Sequence, residues 1–269
     1  MSEYIIDLHN VSCKAGYRNL LKNVTWQVKP GEHWVVFGMN GSGKTTLLSI
    51  IAGFKHYTEG SVKIFGQEFS NENILEIRKR IGWVSASFFD KYYTKESALH
   101  IVLSGKHGTL GLDENITLDD VGLAKDLLTE LHLEDRINQP FDMLSKGQRQ
   151  NVLIARALFS NPDILILDEP CTGLDVYNRS YLFSTIEELS KIKNLTIIYV
   201  THYVEEIIPM FKKTLLLKNG LIFNKGDTKD MFCNDLMREL IGYPVEMHNE
   251  NGRYRMSINT TSTLTRLLK

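Results

Sequence analysis

Paired cysteines, a long apolar run and an excess of either charge are all missing from this chain of 269 residues. The three cysteines, Cys13, Cys171 and Cys233, are odd in number, widely separated and form no CxxC pair. Neither a disulfide framework nor a zinc-ligand spacing is supported, and the thiols read as small apolar residues of a reduced, cytosolic compartment. The most apolar stretch, 152–167, is interrupted by Arg156, Asn161, Pro162 and Asp163, so no bilayer-spanning segment is expected. The opening residues lack a basic segment ahead of an apolar one, and no secretory signal is expected. Lys plus Arg total 31 against 32 for Asp plus Glu, a formal net charge of −1. That balance argues against a general nucleic-acid binder. There is no internal repeat and no low-complexity tract.

What is present is an alternation. "YIIDLHNVS", "NVTWQVK" and "SVKIFG" read as strands in the opening third. "EHWVVFG" (32–38) is a compact strand, and "KTTLLSIIAGF" after it has helical periodicity. "IGWVSAS" (81–87) reads as a further strand. Residues 88–143 change to polar, helix-compatible segments, the composition of an inserted helical lobe. From Gln148 the rhythm returns: helix, strand "DILILDEP", helix, strand "LTIIYVTH", a helix over 203–211, and two strands joined at Asn219-Gly220. Strands alternating with helices predict an α/β fold with a mainly parallel sheet covered on both faces. "VEMHNENGRYRMSI" alternates around a turn-rich "NENG" and predicts a C-terminal hairpin over 245–258.

Two segments carry chemistry. Gly38 to Thr45, "GMNGSGKT", fits GxxxxGK[ST] and lies between a strand and a helix. Glycines let backbone N–H groups curl around phosphate oxygens, and the helix N-terminus adds partial positive charge. Gly38, Asn40, Gly41, Ser42, Gly43, Lys44, Thr45 and Thr46 are the candidate phosphate-binding residues. Lys44 is expected to reach the β- and γ-phosphates, and Thr45 to ligate Mg²⁺. In "DILILDEP" four apolar residues bury a strand that presents Asp168, a second Mg²⁺ ligand, and then Glu169, placed to orient or deprotonate water.

"LSKGQ" (144–148), "TGLD" (172–175) and "YVTH" (199–202) separate this chain from other phosphate-loop proteins. With the two segments above, in this order, the chain resembles an ATP-binding cassette ATPase over residues 1–230, leaving 231–269 as an extension. The resemblance implies a RecA-like P-loop NTPase core with an N-terminal antiparallel β subdomain, the inserted helical lobe, and ATP with Mg²⁺ as cofactors. It implies that Ser145, Gly147 and Gln148 face the γ-phosphate of ATP held by a second copy of the chain. It also implies adenine stacking by Tyr17, a dimer-seam role for Asp175, and γ-phosphate contact by His202 in support of Glu169. A separate membrane permease partner and a cytoplasmic, membrane-peripheral location follow from the same likeness. The alternative within the family is a soluble clamp acting in translation or DNA repair.

Two positions depart from the family pattern. Lys146 stands where glycine is usual. Ser85, Ala86 and Ser87 stand where the family has a glutamine that contacts Mg²⁺ and water. This departure resembles a divergent branch associated with molybdenum-type transport ATPases and photorepair proteins. "NKGD" (224–227) and "DDVG" (119–122) mimic guanine-nucleotide motifs, but the second falls in a helix-like segment and the acidic strand stands elsewhere.

Overall fold

The computed structural model describes residues 3–89, 92, 95–108, 111 and 115–258. Strands β1 (Ile6–Ala15), β2 (Arg18–Val28), β3 (Trp34–Phe37), β4 (Glu59–Ile64), β5 (Gln67–Glu68) and β6 (Ile81–Val84) occupy the first third. They are followed by β7 (Ile164–Asp168), β8 (Thr196–Thr201), β9 (Lys213–Lys218), β10 (Leu221–Asp227), β11 (Val245–Glu250) and β12 (Arg253–Ile258). The helices are α1 (Lys44–Ile51), α2 (Ile74–Lys79), α3 (Ala86–Phe89), α4 (Ala98–Leu103), α5 (Leu118–Glu130), α6 (Lys146–Phe159), α7 (Val176–Leu189), α8 (Thr228–Met231) and α9 (Asn234–Ile241).

The strands form an antiparallel sheet, β2-β1-β4-β5, and a six-stranded sheet, β10-β9-β3-β8-β7-β6. In the larger sheet β3, β6, β7, β8 and β9 run parallel, and only β10 is antiparallel. Every residue of β3, β6, β7 and β8 is buried, which requires cover on both faces and explains their unbroken apolar sequences. Edge strand β10 has no fully buried residue. Asn219 and Gly220, with φ of 51° and 78°, make the β9–β10 turn; Asn251 and Gly252, at 54° and 79°, make that of β11–β12.

Three segments differ from their sequence expectation. The helix expected over 203–211 is reduced to one 3-10 turn, Val204–Glu206. Pro209 disfavours helical backbone at Ile208, and Ile207 already has extended dihedrals. The strand expected over 81–87 ends at Val84, and α3 follows. Packing of Phe88 and Phe89 on Trp83, with ring centroids 4.5 and 5.8 Å away, folds the chain back over its own strand. Helix α6 begins two residues early because Ser145 caps it. The "DDVG" segment lies within α5.

Candidate functional site

Four neighbouring parallel strands end at the same level. Phe37 pairs with Thr201, Asp168 with Val200, and Val84 with Leu167. The residues that follow these ends, Gly38, Glu169, His202 and Ser85, therefore emerge along one rim. Open α/β sheets bind ligands along this carboxyl edge. The pairing explains how segments more than a hundred residues apart converge.

Glycine is required at two points of the 38–46 loop. A Cβ on Gly38 would lie 2.5 Å from the Leu217 carbonyl oxygen and 2.6 Å from Ser42 Oγ. Gly43 has φ +108°, and a Cβ there would lie 2.8 Å from the Leu20 carbonyl oxygen. Gly43 caps α1 without any side-chain hydrogen bond, leaving the first-turn N–H groups of Lys44, Thr45 and Thr46 without a side-chain acceptor. Lys44 is buried, and its Nζ donates to the carbonyl oxygens of Gly38 (2.7 Å) and Met39 (3.3 Å). It also stands 3.3 Å from Glu169 Oε1.

The acidic pair divides in environment. Asp168 is buried; its Oδ2 accepts from Ser85 Oγ at 3.1 Å, while Oδ1 has no hydrogen-bond partner among the described residues. Burial pushes its carboxyl up to about 6, against the lowering effect of the Ser85 hydrogen bond. Glu169 adopts φ +51°, an uncommon conformation for a side-chain-bearing residue, with its N–H held by the Val200 carbonyl at 2.9 Å. Its Oε1 lies 3.1 Å from His202 Nδ1. Lys44, Glu169 and His202 thus form a chain of charge-capable groups. Beneath them Glu206 Oε2 accepts from Thr201 Oγ1 (2.6 Å) and Tyr199 OH (3.0 Å), with Cys171 Sγ 3.3 Å from the tyrosine oxygen. Burial raises the Glu206 carboxyl and pushes the Cys171 thiol up to about 12.

A cavity of about 550 Å³ is lined by Lys44, Asp168 and Glu169 among these groups. Asn40, Gly41, Gly43, Lys44, Thr45 and Thr46 line one side, and Asp168, Glu169, Ala86 and the start of α6 line the other. Ser145 caps α6 in a reciprocal box: its Oγ accepts from Gln148 N (3.3 Å), and Gln148 Oε1 accepts from Ser145 N (2.9 Å). Gly147 faces Asn178 of α7, and Asp175 caps that helix through Asn178 N at 2.8 Å. Tyr17 stands fully exposed in the β1–β2 turn, outside the cavity lining. Arg149, Gln150 and Thr172 also line the cavity, and of these only Thr172 falls in a motif legible in the sequence. Gln150 shares a helical stripe with buried Leu153, Ile154 and Ala157, a pattern that marks burial but not the cavity it faces.

A model of the family described as ABC transporter matches residues 21–172. The uncharacterized ABC transporter ATP-binding protein YlmA of Bacillus subtilis is 39% identical over 245 residues, covering 90% of this chain and 93% of its own. The ABC transporter ATP-binding protein ModF of Escherichia coli is 35% identical over 206 residues, which are 75% of this chain and 42% of ModF. Among solved structures, a dimeric post-hydrolysis state of the cassette MJ0796, bound to ADP and Pi, is similar. It matches at 28% identity with a TM-score of 0.72, over 82% of this chain and 98% of that one.

Proposed function

Because this chain belongs to the ATP-binding cassette family of ATPases, we propose that it is the energy-coupling subunit of a transporter, closing head-to-tail with a second copy around two Mg-ATP. One observation carries the reading: Asp168, Glu169 and His202 converge at the carboxyl ends of adjacent parallel strands, beside the N-terminus of α1, which brings Lys44 to within 3.3 Å of Glu169 and supplies N–H donors. The loop at 38–46 takes the phosphates, with Lys44 moving from loop carbonyls to phosphate oxygens. Tyr17, from its exposed turn, would meet the adenine.

Thr45 and Asp168 fit a hard divalent cation. Asp168 Oδ1 is a buried oxygen without a hydrogen-bond partner among the described residues, and Asp168 and Thr45 line the same cavity. When bound, Mg²⁺ neutralises charge on the phosphate oxygens. Glu169 takes the proton of the attacking water or orients it, and His202 and Lys44 hold the carboxylate in place. Ser145, Gly147 and Gln148 would meet the partner's nucleotide, and Asp175 would lie along the seam between the copies. Such an arrangement is two-fold symmetric and makes two composite sites.

Among the described residues no helix is long and apolar enough to cross a membrane. Transport therefore calls for a separate membrane-embedded permease, with this chain peripheral to it. Recovery from membranes by tagged Glu169→Gln protein loaded with ATP tests this partner. Co-purification of an integral membrane protein is expected. Recovery of ribosomes or DNA alone would overturn the transport reading in favour of a soluble clamp.

A further inference from the structure

Gln150 is 6% exposed, yet its Nε2 has no hydrogen-bond partner among the described residues. An amide donor without an acceptor in the interior is a net penalty unless a ligand completes it. The same side chain lines the cavity shared by Lys44, Thr45, Asp168 and Glu169. Leu153, Ile154 and Ala157, on the same stripe of α6, are buried and fix the face on which Gln150 stands.

Across the cavity, Ser85 and Ala86 offer little. The Ser85 hydroxyl is engaged with Asp168 Oδ2 at 3.1 Å, and Ala86, which lines the cavity, has no polar side-chain atom. Gln150 is thus the one carboxamide other than Asn40 among the residues that line the site.

We propose that Gln150 is a catalytic-site residue whose Nε2 donates a hydrogen bond to the terminal phosphate of ATP bound at the chain's own 38–46 loop. It serves from α6 the distinction between ATP and ADP that a glutamine after β6 would otherwise serve. Five residues earlier on α6, Ser145 caps the helix toward the partner's nucleotide. One helix then touches both nucleotides, so its position depends on whether its own site holds a γ-phosphate. The inference rests on the reading of 38–46 as the ATP phosphate loop.

The test is calorimetric binding of ADP and of the non-hydrolysable analogue AMP-PNP to the full chain, with and without magnesium. Gln150→Leu fills the same volume without a donor. It is expected to weaken AMP-PNP roughly tenfold or more, with ADP changed less than about twofold, because the lost bond is to a charged group that ADP lacks. Gln150→Glu, similar in size but repelling phosphate, is expected to weaken AMP-PNP further and provides the same comparison if the leucine variant does not fold. Equal losses for both nucleotides, or no loss for either, would overturn the proposal. Failure of the phosphate-loop reading gives a different result, since the unaltered chain would then bind neither nucleotide.

Discussion

Helices α1 and α6 both turn their N-termini toward the cavity region, but they present opposite states of completion. Gly43 begins α1 with no side-chain cap, so its first-turn donors are free for a phosphate. Ser145 begins α6 inside a closed capping box whose two hydrogen bonds already satisfy Ser145 N and Gln148 N. A phosphate at α1 completes bonds that the fold leaves open, whereas one at α6 competes with bonds already made. The first end is ready in a single chain. The second has its capping donors already engaged, so a helix dipole alone does not make the two ends equivalent.

The largest effect that would sharpen this contrast comes from the acidic strand. Glu169→Gln is expected to reduce phosphate release by roughly 10²–10⁴-fold while ATP binding persists, because general-base assistance is of that size. A rapid-quench turnover assay paired with equilibrium binding measures it; unchanged turnover would assign the base elsewhere. Next, Lys44→Ala is expected to weaken nucleotide binding roughly tenfold to a hundredfold, the range for a hydrogen bond to a charged group. Calorimetry checks this, and full affinity would break the claim that α1 is the ready end.

Ser145→Ala opens the capping box at the other end. Loss of a cap costs about 1 kcal/mol of stability, read as a lowered denaturant midpoint. ADP affinity is expected to stay unchanged in the isolated chain while ATP turnover falls. A fall in ADP affinity would place α6 in the chain's own first contact with nucleotide and erase the contrast. The smallest effect concerns the scaffold below His202. The Glu206 carboxyl is raised above 4.5 by burial, so its contribution to stability diminishes as pH rises from the unfolded value through the folded one. Glu206→Gln keeps an acceptor for Thr201 and Tyr199 without that penalty. Thermal melts are expected to show a higher Tm for the variant at pH 8 and no gain at pH 4.

The legible parts of the molecule were those where one local rule acts alone. Buried parallel strands wrote themselves as unbroken apolar runs, such as Ile164–Leu167, and Asn-Gly marked the β9–β10 turn. The fold class followed from those alternations. Segments decided by distant packing did not follow local pattern: 203–211 looked amphipathic, but Pro209 and the buried Ile207 and Ile208 break it into one 3-10 turn, an extended residue and a second turn. Helix α3 depends on Phe88 and Phe89 finding Trp83. The loop was readable because backbone sterics restrict the residues allowed at Gly38 and Gly43, and the acidic strand because burial demands an apolar run ahead of Asp168. Gln150 was not, since a glutamine on an apolar stripe takes its meaning from the cavity the stripe faces.

The central claim is that each reaction centre combines the ready end of one chain with the capped end of another. Specific ATPase activity measured over a dilution series, with mass determined by light scattering at each concentration, tests it most directly. The account predicts that activity per chain falls with dilution in step with the dimer fraction, and that Ser145→Ala depresses it even at high concentration. Constant activity per chain in a monomeric preparation, indifferent to Ser145, would contradict it.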